Sequence, residues 1–163
     1  MSPRRKTELI DELIREYRAI GNQDDTFDSV AAERLGVSDT DLRCLNLIEN
    51  ADGITAGELA RGAGLTPGAV TGVIDRLEKL AYARRVPDPA DRRRVRVEVT
   101  QTFYRAAGQI WGPVAAEWHA ALSEQFTNDD LELIIRFLRS TADVGREHLD
   151  RIGAAPADAR PHA

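Results

Sequence analysis

The sequence predicts a mainly α-helical protein with a small β-wing, and three observations carry that expectation. Apolar residues recur at spacings of three and four through most of the 163 residues. Two short capped helices follow one another across Gly64-Leu65-Thr66. Directly behind them Val95, Val97 and Val99 alternate with Arg96, Glu98 and Thr100, the period of a strand, after a turn with two prolines.

In the first segment Leu9, Ile10, Leu13, Ile14, Tyr17 and Ile20 form a helical stripe. Residues 21–29, "GNQDDTFDS", predict a break. The periodicity resumes at Val30, Ala31 and Leu35, and Gly36 ends it. Ser38, with Asp41 three residues on, offers the next helix start, and Leu42, Cys44, Leu45, Leu47 and Ile48 crowd that short helix with apolar side chains. Asp52-Gly53 stops it. Thr55 and Glu58 form a capping box, in which hydroxyl and carboxylate satisfy the free N–H groups of a helix start. Gly64 sits where a left-handed residue closes the helix. Thr66-Pro67 reads as N-cap and first helical residue of a helix with Val70, Val73, Ile74, Leu77 and Leu80 on one face. Residues 82–86 and 94–100 predict the two strands of a hairpin. A helix to about residue 125 comes next, which Gly112-Pro113 should kink or interrupt. Thr127 caps the last helix, which carries Leu131, Ile134, Ile135, Leu138, Ala142 and Leu149. The remaining tail, 151–163, is small, proline-containing and expected to be disordered.

Net charge is −5, yet residues 53–100 carry a net of +3, and Arg92, Arg93, Arg94 and Arg96 fall within five positions. A basic block inside an acidic chain marks a local site for an anionic partner, or else a solvated arginine-rich hairpin. Arginine makes up 20 of the 22 basic residues, which genome composition explains as readily as chemistry does. No apolar run reaches the roughly 18–20 residues of a membrane span, and the basic start precedes an amphipathic segment rather than a signal peptide. A cytoplasmic location without membrane partners is the expectation. Cys44 is the only cysteine, which leaves no disulfide framework and no cysteine-based zinc site within one chain. His119, His148 and His162 are far apart, and the phosphate-loop, nucleophile-elbow, dinucleotide and zinc-protease signatures are absent from the sequence. Neither catalysis nor a metal nor a cofactor is expected.

The paired helices read as a helix-turn-helix, whose second helix enters the major groove by its N-terminal residues. Here Thr66, Pro67, Gly68, Ala69, Thr71 and Gly72 are small and allow close approach to DNA. Thr71 offers a hydroxyl and a methyl to base edges, and Arg76, further along, suits a phosphate. The arginine-tipped hairpin completes a winged helix-turn-helix over 38–100, since a minor groove attracts arginine.

The stretch "LTPGAVTGVIDRLEKLAYARRVPDPADRRRVRVEVT" resembles the winged-helix core of the MarR family of bacterial regulators. The specific parts are the "DRLE" of the recognition helix, the arginine pair after it, and a D-x-x-D-R-R wing ending in a strand and a threonine. The detailed resemblance covers about 42–100; the outer helices match in order and length. It implies a single-domain homodimer in which the helices of 7–35 and 101–150 intertwine and two lobes bind a pseudo-palindromic duplex as a regulator, more often a repressor. It also implies that Arg92 enters the minor groove, with Asp91 and Arg93 holding the wing by an ion pair or a phosphate contact and Arg94 beside them. The chain departs from the family at Gly72, where many members place a larger polar or basic residue, so wing and shape readout should weigh more here.

In the family, small aromatic or lipophilic acids enter a pocket between the dimerisation helices and the lobe. Tyr17, Trp111, Trp118 and His119 are the candidates for such a ligand, or else belong to the dimer core. Family members that sense peroxide generally carry their cysteine near the first helix; Cys44 lies in the second, among leucines, and reads as core packing. A redox sensor of the same fold, or a small-molecule-binding or adaptor protein without DNA binding, are the competing classes.

Overall fold

The computed structural model describes residues 5–89, 91 and 93–153. The described elements are α1 (Lys6–Leu35), α2 (Asp39–Asn50), β1 (Ile54–Thr55), α3 (Ala56–Ala63), α4 (Pro67–Lys79), β2 (Ala83–Pro87), β3 (Val95–Val99), α5 (Gln101–Gln125) and α6 (Asn128–Gly153). They fall into two compact units, Met1–Pro113 and Val114–Ala163.

The first unit is organised by its caps. Ser38 accepts from the Asp41 N–H at 3.1 Å, Thr55 from Glu58 at 3.3 Å and Thr66 from Ala69 at 3.3 Å, so α2, α3 and α4 each start where the sequence places a capping hydroxyl. Gly64 closes α3 at φ 67°, in the left-handed region, and turns the chain directly into α4. These short helices bury Leu42, Leu45, Ile48, Leu59, Val70, Val73, Ile74 and Leu77 together with Val97 of β3 and Phe103 of α5. The sheet is antiparallel in the order β1-β3-β2, with Ile54 opposite Val97 and Ala83 opposite Val99. Thr100 ends the hairpin and caps α5 by accepting from the Phe103 N–H at 3.3 Å.

Several expectations change. The break over 21–29 does not exist: α1 runs unbroken through Gly21 to Leu35. Its polar middle is anchored by its C-terminal half, where Phe27 packs on the core with its ring edge-on to Trp111 at 6.0 Å and Ala31, Ala32 and Leu35 are buried. Tertiary burial offsets weak local helix propensity. Pro113 does not interrupt α5, although the boundary between the two units falls there. Leu80 leaves the buried face of α4, because the helix ends at Lys79 and Leu80 is 41% exposed. The valine alternation of β3 buries only Val97, since Val95 stands beyond the core toward the tip. β1 carries no sequence signal, being two residues long.

In the second unit Thr127 and Asp130 form a reciprocal capping box that starts α6. α6 continues to Gly153, so residues 151–153, expected in the tail, are helical, and residues 154–163 lie outside the described residues. Leu133, Ile135, Leu138, Val144, Leu149 and Ile152 remain exposed on it. On α1 the stripe Leu9, Ile10, Leu13, Ile14, Tyr17 and Ile20 is exposed as well. No described helix is long and apolar enough to cross a membrane.

Candidate nucleic-acid interface

The N-terminal half of α4 presents Thr66, Pro67, Gly68, Ala69 and Thr71 to solvent, with Gly72 half-exposed. Val70, Val73, Ile74 and Leu77 on the opposite face fix the helix to the core. A Cβ added at Gly68 would meet nothing within 4 Å, and at Gly72 only the Arg76 Nη1 at 3.5 Å. The fold therefore gives no steric reason for either glycine, although each costs helix stability relative to alanine. The Thr71 hydroxyl donates back to the Pro67 carbonyl at 3.0 Å, which leaves its methyl and a lone pair for an outside partner.

Arg76 is more committed than its sequence position suggests. Its Nε and Nη2 donate to the two carboxylate oxygens of Asp41 at 3.2 and 2.6 Å, tying α4 to the start of α2. Asp41 is 4% exposed. Burial pushes its carboxyl up, but the hydrogen bonds from Arg76 and Ser38 outweigh burial and hold it below the ordinary aspartate value. Arg85 of β2 makes a second strut: it donates to Asp75 at 2.8 Å and pairs with Glu78, both on α4. Its guanidinium is accordingly held even more firmly charged by the Asp75 hydrogen bond. Hairpin and recognition helix are thus fastened to each other.

Within the wing, the Asp91 carboxylate accepts from the Arg93 backbone N–H at 3.0 Å, and the Arg94 N–H donates to the Asp91 carbonyl at 2.8 Å. Asp91 braces the turn through backbone groups. Arg94 lies 3.7 Å from Glu58 at the start of α3 and is turned toward the lobe. Arg93 is exposed. Arg96 points away from the tip and donates to the Gly53 carbonyl at 2.7 Å, clamping the end of α2 to β3. Arg92 lies outside the described residues.

Of the four ligand candidates, Trp111 lines a cavity of the first unit, a space of about 320 Å³ against α2 and α5. Phe103 and Tyr104 share its wall, with Asn46 and Glu49 as its polar groups; neither tryptophan spacing nor aromatic content points to them. Tyr17 stands on the exposed stripe of α1, while Trp118 and His119 belong to the second unit, where both are exposed. Cys44 is buried, which raises its thiol pKa above the ordinary value. No group of three or more potential metal ligands occurs among the described residues.

A helix with a bare, small-residue N-terminal face, strutted to an arginine-bearing hairpin, is the architecture of a winged helix-turn-helix protein. A sequence profile of the MarR family matches residues 35–94. The uncharacterized HTH-type transcriptional regulator YcgE of Bacillus subtilis (strain 168) is 35% identical over 147 residues, covering 90% of this chain and 95% of that protein. Wild-type MarR of E. coli in its apo form superposes with a TM-score of 0.53 at 25% identity, covering 79% of this chain and 95% of that one. A structure described as the multiple antibiotic resistance repressor, MarR, gives a TM-score of 0.55 at 25% identity over 79% of this chain and 94% of that one. The chain belongs to the MarR family and is a transcriptional regulator of that family.

Proposed function

We propose that the protein is a homodimeric repressor that binds a pseudo-palindromic duplex and is released from it by a small lipophilic or aromatic effector. The observation that carries the DNA-binding part is the face of α4: Gly68 and Gly72 stand where the fold does not need them and where a missing Cβ lets a surface approach the helix. Thr66, Pro67, Ala69 and Thr71 complete that face in the major groove. Arg76 keeps a free nitrogen, Nη1, for a phosphate while Asp41 fixes its plane. Arg92 enters the minor groove, with Asp91 bracing the turn, Arg93 on a flanking phosphate and Arg94 reaching one by leaving Glu58. The exposed apolar stripes of α1 and α6 support pairing of two copies, which sets the lobes one helical turn of DNA apart, about 34 Å. Repression is supported by the relative described as a repressor. Release works by population shift, as the effector favours a lobe spacing that no longer matches the duplex.

The test is duplex selection from genomic fragments, then binding isotherms at two salt concentrations. Arg92→Ala should weaken binding strongly and lower the slope of log K against log salt by about one unit, with fold and dimer unchanged. Isotherms identical to wild type at both concentrations would remove Arg92 from the interface. No affinity for any duplex would favour an adaptor or a small-molecule-binding protein instead.

A further inference from the structure

We infer that the cavity between α2 and α5 takes an aromatic or lipophilic cation, an amine or quaternary ammonium, rather than the aromatic acid that the family resemblance suggests. This deepens the effector reading above and rests on it for its regulatory meaning, but not for the binding itself. The cavity wall is aromatic, from Phe103, Tyr104 and Trp111. Its only charged lining residue among the described residues is Glu49, and Asn46, Tyr104 and Trp111 carry its uncharged polar groups. An aromatic acid seated there would face Glu49 with no cation to offset the repulsion. A cation would gain both the carboxylate and the negative faces of the rings.

The neighbouring space repeats the pattern. A second cavity of about 190 Å³ shares Glu49 and Tyr104 with the first and adds the carboxylates of Asp52 and Glu98. Glu98 is already paired with Arg84 at 3.1 Å, whereas Glu49 and Asp52 have no ion-pair partner among the described residues. On the other side of Asn46, a third cavity does hold a cation, Arg43, but sets Asp25, Asp28 and Asp39 around it. Carboxylates thus outnumber cations along this whole side of α2, while the basic surface of the lobe lies in the hairpin.

The experiment compares two probes of matched shape, 2-naphthylmethylamine and 2-naphthoate, binding to the full-length protein without DNA by calorimetry at neutral pH. The amine should bind about ten-fold tighter than the acid, and Glu49→Gln should cut amine affinity about five-fold and erase most of the preference. Because Glu49 is exposed, the variant should fold, which circular dichroism checks. Trp111→Leu should weaken both probes. Tighter binding of the naphthoate, or an amine preference untouched by Glu49→Gln, would overturn the assignment. Duplex release is then measured separately. Amine preference without release supports the cation site and removes the effector reading; release by the acid alone overturns the cation site and leaves the effector reading standing.

Discussion

Asp41 and Arg76 show what single residues contribute and how much of it the sequence carries. Ser38 and Asp41 spell a capping box at the right spacing, and the structure forms it. The second role of Asp41, as the anchor of Arg76, joins positions 35 residues apart and has no local signature. The two partners differ in exposure: Asp41 is buried, while the Arg76 side chain is 54% exposed. Arg76→Met strands a buried carboxylate and should cost about 2–3 kcal/mol in urea denaturation, whereas Asp41→Asn leaves a guanidinium that can turn to water and should cost about 1 kcal/mol. Equal costs would mean that the pair is not organised by burial. The depressed Asp41 carboxyl also sets a pH dependence. Its contribution is fully present above the unfolded value of 3.8 and is lost as pH falls through the lower folded value. The stability gap between wild type and Asp41→Asn should therefore be constant from pH 5 to 8 and close below pH 3.8.

At the scale of elements, the caps and the turn glycine of the helix-turn-helix were legible because each is a short-range hydrogen-bond problem with few chemical solutions. Gly64 and Gly72 separate the two uses of glycine. Gly64 holds φ 67°, so Gly64→Ala should destabilise by about 1 kcal/mol. Gly72 has helical geometry and room for a methyl group, so Gly72→Ala should stabilise the isolated protein by up to about 1 kcal/mol. Thermal melts decide the signs, and a stabilised Gly72→Ala with altered duplex affinity would show that this glycine serves the contact rather than the fold. What a local reading misses depends on distance. Nothing between Gly21 and Ser29 announces a helix, because its support comes from Phe27 against Trp111, far along the chain. The arginine pair at 84–85 reads as basic surface in the sequence, yet Arg85 spends its charge inside the lobe, on Asp75 and Glu78.

For the molecule as a whole, the long amphipathic stripes are evident in the sequence, and in the proposed homodimer a second chain covers them. Leu13→Glu, in the exposed stripe of α1, should convert the protein to monomer at micromolar concentration in sedimentation velocity and abolish duplex binding with it. A dimer that persists would exclude the α1 stripe from the interface. A different consequence comes from β3, where Glu98 borders the smaller cavity, Arg96 grips the Gly53 carbonyl, and Arg94 lies at the wing beside Glu58. Glu98 and Arg96 are thus alternate residues of one strand, and Arg94 lies one residue before that strand begins, about 13 Å from Glu98 at the rise of extended chain. That strand is laddered on both sides, to β1 and to β2, and β2 is strutted onto α4. On the proposed effector reading, a ligand at the Glu98 end would act on the recognition helix through the paired strands and the Arg85 strut rather than through a loop.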